Sequence, residues 1–286
     1  MDITNITKKY KSNVILKDLN FSFDDSRIVG LIGKNGAGKT TVMKIMNGNV
    51  VNYTGKVNME NNAKIGYLIE HPKLYQNTTG INNMKLFSKI LGTKYDRDFA
   101  NKIITSFGMD QYIDKKVKKY SLGMKQKLAI AISLISKPKY LILDEPTNGM
   151  DPDGSIDVLK TIKKITEEYN MKVLISSHKL EDIELICDRA IFLRNGKFIK
   201  DINMEDSGSQ NFTVIELHNK DYDSGKEIIS KEFKILNSSK EGIFIELLHD
   251  YSKVLKPLSS INVYPKMIRN KTASLRDTYF DINKGE

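Results

Sequence analysis

Cysteine is nearly absent from this chain. Its 286 residues include one, Cys187, so no internal disulfide can form, and such scarcity suits a reducing cytosol. Long apolar runs are missing too. The longest clean one, LAIAISLI at 128–135, is far shorter than the roughly 18–20 residues that span a bilayer, so the chain is not expected to cross a membrane itself. The opening residues, MDITNITKKYK, lack the apolar stretch of a signal peptide. No internal repeat, low-complexity tract or heptad run is visible. Acidic groups are in the minority, with a net charge of +10. The imbalance sits in the first 206 residues, which hold 33 basic and 24 acidic side chains against 12 and 11 in the remainder. A basic body suits a nucleotide, a nucleic acid or an anionic membrane surface, although a lysine-rich solvated surface has the same charge. The balanced remainder argues against a nucleic-acid surface there.

What is present is an ordered alternation. Residues 1–30 alternate as strands do, most clearly in VILKDLNFSF. RIVGLIG reads as a buried strand running into a glycine loop. KTTVMKIMNG has helical spacing and stops at Gly48. GKVNM and KIGYLI read as strands, and from about 78 to 136 the pattern is helical. KYLILDEP is a short apolar strand without alternation, as expected when both faces are covered. A helix near 153–169, the strand KVLISSH, a helix near 179–187 and a hairpin turning at Asn195-Gly196 follow. Strands alternating with helices imply an α/β fold with a parallel sheet wound on both faces. MEDSGSQ, 204–210, reads as a linker. Beyond it come the strand FTVIEL, a helix near 222–231, strands FKIL and GIFIEL, a helix near 250–259 and the strand NVYPKM. That order predicts a small α+β domain of split βαβ, ferredoxin-like type. ASLRDTYFDIN reads as a short closing helix.

Two motifs carry chemistry. GKNGAGKTT, residues 33–41, fits G-x-x-x-x-G-K-[ST], follows a predicted strand and opens a predicted helix. Its glycines let backbone N–H groups turn toward phosphate oxygens, and the helix N-terminus adds partial positive charge. Asn35, Gly36, Ala37, Gly38 and Thr41 are the candidate cradle. Lys39 would reach the β- and γ-phosphates, and the Thr40 hydroxyl would ligate Mg²⁺. The second motif, YLILDEPTNGMD, puts Asp144 and Glu145 at the carboxyl end of a buried strand, where open α/β sheets bind ligands. Asp144 can hold Mg²⁺ and Glu145 can polarise a water for attack on a γ-phosphate. An Asp-Glu pair alone is most often a solvated helix start. This one follows an apolar strand, precedes a proline and stands about a hundred residues past a phosphate loop.

With these residues in view, the chain resembles the ATP-binding subunits of ABC transporters over residues 1 to about 204. YSLGMKQKLAIA, 120–131, is similar to their signature segment, with Ser121 and Gly123 in matching places and Leu122 where a glycine is usual. NGMD, 148–151, is similar to the D-loop, SSH places His178 as the switch histidine, and Tyr10 matches the aromatic that stacks on adenine. The resemblance implies a P-loop ATPase domain over 1–204, with a parallel core, an antiparallel β subdomain and a helical subdomain at about 72–136. A C-terminal accessory domain would occupy 205–286. It also implies ATP and Mg²⁺ as cofactors and a head-to-tail dimer, of like or sister chains, with ATP between the phosphate loop of one and the signature segment of the other. Ser121 and the Gly123 amide would then cap the γ-phosphate.

Within IGYLIEHPKLY, 65–75, a strand-like run ends on Glu70 where most of the family has the Q-loop glutamine. A carboxylate can ligate Mg²⁺ and adds negative charge near Glu145, and like charges raise the pKa of one of them. Glu70 with SLGMKQ resembles the branch serving bacitracin resistance, lantibiotic immunity and export of toxin peptides. That implies the ATPase of a peptide exporter, peripheral on the cytoplasmic side of the membrane. A separate transmembrane subunit would handle the cargo and grip a groove formed by residues 70–100. Two other readings stand beside it. One is a soluble ABC ATPase acting on ribosomes or nucleic acid, the other a regulatory module that binds ATP without turnover. The first is disfavoured by a single cassette without coiled coils, the second by Glu145 and His178.

Overall fold

In a computed structural model of the chain, the residues described are 1–70, 73–207, 211–239 and 242–272, with Leu275 and Tyr279. They divide into two compact units, Met1–Met204 and Glu205–Glu286.

The first unit opens with β1 (Asp2–Tyr10), β2 (Asn13–Ser22) and the wholly buried β3 (Ile28–Ile32). α1 (Lys39–Met46), β4 (Thr54–Asn58) and β5 (Ile65–Leu68) follow. The chain then turns helical in α2 (Gly80–Ile90), α3 (Arg97–Ser106) and α4 (Leu122–Leu134). Each starts on a side chain that accepts a first-turn N–H: Thr79 from Asn82, Asp96 from Phe99 and Ser121 from Met124. Alternation resumes with β6 (Tyr140–Asp144), α5 (Pro152–Glu168), β7 (Lys172–Ser176) and α6 (Leu180–Ile186). The hairpin β8 (Arg189–Arg194) and β9 (Lys197–Asn203) closes the unit. Its turn residues Asn195 and Gly196 both have positive φ, 48° and 71°, as a two-residue hairpin turn requires.

The strands form two sheets. One runs β5-β6-β7-β3-β8-β9, parallel except for β9. The other is antiparallel, β2-β1-β4. One apolar cluster joins them. Ile3, Ile6, Leu16 and Leu19 pack with Val42, Met43 and Met46 of α1 and with Leu31, Ile142 and Leu174 of the parallel sheet. Each such side chain contributes roughly 1.5–3 kcal/mol by leaving water. The consequence for function is positional: α1 is clamped between the sheets, so the loop that starts it is fixed against the carboxyl ends of β3 and β6. Cys187 is buried, and burial pushes its thiol pKa up, which makes it an inert packing residue.

Four residues read as linker form a helical turn, α7 (Met204–Ser207), and residues 208–210 lie outside the described set. The second unit contains β10 (Asn211–Glu216), α8 (Tyr222–Glu232), β11 (Ile235–Ser239), β12 (Gly242–Glu246), α9 (Ser252–Ser260) and β13 (Met267–Thr272). The sheet order β11-β12-β10-β13, antiparallel throughout, is the ferredoxin-like arrangement. Ile215, Ile243 and Ile245 pack beneath Ile229, Val254 and Leu258. Two strands differ from the sequence reading. FKIL begins its strand two residues late, at Ile235. NVYPKM is not itself the last strand, which starts at Met267. Asn262 takes a left-handed turn at φ 57°, and Pro265 has no N–H to donate, so pairing begins only when Lys266 N–H reaches Glu216 O at 2.7 Å. The predicted closing helix lies outside the described residues except at Leu275 and Tyr279.

Candidate functional site

Residues 33–41 carry the chain from β3 into α1. Gly36 and Gly38 have φ of +83° and +110°, and a Cβ on Gly38 would stand 2.6 Å from Leu16 Cδ2, so this turn needs glycine. Gly38 is also the N-cap of α1, and no side chain caps that end. The first-turn N–H groups are thereby left for another acceptor. Lys39 is only 6 % exposed. Its ammonium donates to Gly33 O at 2.7 Å and lies 3.9 Å from Glu145 Oε1. A cavity of about 220 Å³ opens here, lined by Asn35, Gly36, Gly38, Lys39, Thr40, Thr41, Asp144, Glu145 and Ile15.

The acidic wall of this cavity is held by β7. Asp144 ends β6 and is 8 % exposed. It accepts the Thr40 hydroxyl at 2.6 Å on Oδ2 and the Ser176 hydroxyl at 2.5 Å on Oδ1. Glu145 turns into the left-handed region, φ 50°, while its N–H donates to Ser176 Oγ at 3.0 Å and Ser176 O at 3.2 Å. One Glu145 oxygen faces Lys39. The other is 2.5 Å from His178 Nδ1. Beneath, Asp182 accepts from Thr147 at 2.7 Å and Ser177 at 3.0 Å, which fixes the segment that bears His178. The Thr40 hydroxyl and Asp144 carboxylate are adjacent hard oxygen donors, and no group of three or more His, Cys, Asp or Glu side chains with metal-site geometry occurs among the described residues. That sparse donor set fits Mg²⁺, which keeps much of its shell as water and phosphate oxygen, and would suit Zn²⁺ poorly.

Comparison with known proteins agrees with this geometry. Residues 16–148 match the family model described as ABC transporter. The chain is 32% identical, over 99% of its length and 95% of the other's, to the uncharacterised ABC transporter ATP-binding protein YhcH of Bacillus subtilis. The chain belongs to the ATP-binding subunits of ABC transporters. It is 39% identical to the lantibiotic transport ATP-binding protein SrtF of Streptococcus pyogenes, over 74% of this chain and 93% of that one. It is 33% identical to the bacitracin transport ATP-binding protein BcrA of Bacillus licheniformis, over 81% and 79%. In fold it is similar to the dimeric bacterial ABC transporter cassette MJ0796, with a TM-score of 0.65 and 22% identity over 71% of this chain and 98% of that chain. As an ABC cassette the chain is a P-loop ATPase subunit that serves a membrane component.

The remaining predicted residues of the ABC cassette fall in three places. Ser121 caps α4, its Oγ accepting Met124 N–H at 3.2 Å, and Leu122 beside it is half exposed. A Cβ on Gly123 would meet only Met150, at 3.7 Å, so space is open before it. Neither Ser121 nor Gly123 lines the phosphate-loop cavity. Tyr10 stands half exposed at the β1–β2 turn and does not line it either, although Ile15 of the same hairpin does. Glu70 follows β5 with φ 63°, so the chain bends into the left-handed region at the ends of two adjacent parallel strands. It pairs with Lys44 of α1. It also lines a larger groove, about 920 Å³, whose walls include Tyr67, Leu74, Phe87, Leu122, Asp144 and Glu145. Sequence reasoning missed Ser176, Lys44 and Asp182. For Ser176 a signal existed, the serine pair of SSH, but its partner lies 32 residues away.

Proposed function

We propose that this ABC ATPase binds Mg·ATP between its phosphate loop and the signature segment, residues 121–123, of a second cassette. Hydrolysis then drives export of membrane-active peptides through a separate transmembrane subunit on the cytoplasmic face of the membrane. The observation that carries the catalytic part is the array Lys39–Glu145–His178 beside the Thr40–Asp144 pair. In this reading the Lys39 ammonium neutralises the β- and γ-phosphates, while backbone N–H groups of residues 35–41 cradle them. Glu145 takes a proton from the attacking water, and His178 holds its carboxylate in place. Thr40 and Asp144 would hold Mg²⁺, which supplies charge neutralisation at the phosphates. Tyr10 stacks on adenine. Ser121 and the Gly123 amide, which stand off their own phosphate loop, reach the nucleotide of the partner cassette. Loss of the γ-phosphate removes the bridge between two helix N-termini, and the dimer opens.

The peptide cargo rests on the lantibiotic and bacitracin transport relatives and on Glu70. The apolar groove that Glu70 borders offers a seat for a segment of the membrane subunit. Co-purified with that subunit in vesicles, the ATPase should be stimulated severalfold by bacitracin or a lantibiotic and not by a neutral hydrophilic peptide. Equal rates with all three would overturn the cargo. Recovery of the chain with ribosomes or nucleic acid in place of a membrane protein would overturn the transport reading as a whole.

Glu70→Gln tests the changed sensor. Both side chains offer an oxygen, but glutamine releases Lys44 from its ion pair. The variant should still bind ATP while the ratio of partner-stimulated to basal turnover shifts. A ratio identical to wild type would leave Glu70 without a special role.

A further inference from the structure

Lys8 occupies a position that an apolar residue would fill more cheaply. In β1 it shares the inward side with Ile3 and Ile6 and is only 4 % exposed, whereas its neighbour Lys9 is exposed. No carboxylate pairs with it among the described residues. Its ammonium donates to Asn52 O at 2.5 Å, just before β4, and lies 4.5 Å from the centroid of the Tyr10 ring. Burying an ammonium without a counter-charge is costly, and a carbonyl and a ring face are the compensation it has here. A leucine or methionine would pack the same space without that cost. The cation therefore serves the ring it touches.

The ring is placed for use. Tyr10 ends β1, and the next residue, Lys11, turns with φ 54° into the start of β2. Two to three residues into β2, Ile15 lines the phosphate-loop cavity and Leu16 packs against Gly38. Tyr10 thus stands half exposed on the same hairpin that borders the loop through Ile15 and Leu16, with its cation partner buried. An unsupported tyrosine at a turn would sample several rotamers. Lys8, tethered to Asn52, holds it in one. A cation behind an aromatic ring also makes the outward face less negative, which favours contact with the electron-rich face of a purine.

We propose that Lys8 is a positioning and specificity residue for the nucleotide: tethered to the Asn52 carbonyl beneath Tyr10, it fixes and polarises that ring as a platform selective for purine bases. This rests on the reading above that Tyr10 stacks on the base.

The test is a double-mutant cycle on the full chain, with ATP and CTP affinities measured by calorimetry for wild type, Lys8→Met, Lys8→Arg, Tyr10→Ala and the double variant Lys8→Met/Tyr10→Ala. Methionine retains the buried stem, and arginine retains the charge and guards against a fold defect. Lys8→Met should weaken ATP about three- to tenfold and CTP much less, so that the purine preference falls. Lys8→Arg should keep most of that preference. On the Tyr10→Ala background Lys8→Met should add nothing, because the coupling runs through the ring. If Tyr10→Ala weakens ATP but Lys8→Met does not, this inference alone fails. It fails equally if Lys8→Met weakens ATP and CTP alike, or if its effect persists undiminished without the ring. If Tyr10→Ala binds ATP as wild type does, the stacking reading falls and takes this inference with it.

Discussion

Glu145→Gln gives a cassette that still binds Mg·ATP but hydrolyses it at least about a hundredfold more slowly, the usual loss when a general base is removed. Glutamine keeps the shape of the side chain and can still meet His178, which lies 2.5 Å from one glutamate oxygen. The backbone at residue 145 is held by Ser176 through its N–H, not by the side chain, so the left-handed turn should survive. What disappears, on the proposed mechanism, is the proton acceptor. One negative charge facing the triphosphate disappears with it, and binding should hold or tighten. A cassette that binds and cannot cleave keeps its bridge, so the variant should run as an ATP-dependent dimer in sedimentation while phosphate release stays near background. Wild-type turnover would remove Glu145 as the base. A monomer in saturating ATP would contradict the bridging role of the γ-phosphate.

The elements legible in the sequence were those whose chemistry sits in consecutive residues. The phosphate loop and the Asp144-Glu145 strand end each need only local backbone geometry to be recognised, and each sits on the predicted type of element. The pairings that hold them together were not legible. Thr40 and Asp144 are 104 positions apart, Ser176 and Asp144 32, and Lys44 and Glu70 26. They meet only because α1 is clamped between two sheets and β6 runs beside β7. Glu70 shows the difference. Its strand-end position could be read from the run that precedes it, but its lysine partner lies on a helix whose packing depends on the whole core. Lys8 was illegible for the opposite reason. A lysine in an alternating strand reads as outward-facing, and its burial beside Tyr10 follows from the register of β1 with β2 and β4. In the second unit the strand order was legible, as was the start of β12 at Gly242, but the last strand starts late because Asn262 and Pro265 delay pairing within a run whose hydrophobicity had already begun.

Lys39→Met should act one step earlier than Glu145→Gln. The ammonium is buried and already directed over the loop by Gly33 O at 2.7 Å, so little conformational search precedes its contact with phosphate. Methionine fills the same stem and removes the charge. Glu145 then faces a triphosphate without the cation 3.9 Å from it, and turnover should fall by about a hundredfold or more, on the order of losing one preorganised donor at the reacting phosphate. The difference lies in assembly. Lys39→Met should fail to dimerise with ATP, because the nucleotide proposed to bridge the cassettes would be bound poorly. The order of the two steps can be read from the double variant Lys39→Met/Glu145→Gln. If the lysine anchors the phosphates, the second substitution cannot trap a dimer that never forms, and sedimentation in ATP should show monomer. An ATP-dependent dimer of the double variant would show that the N–H groups of the loop suffice to hold the triphosphate, and would reassign Lys39 from binding to the chemical step alone.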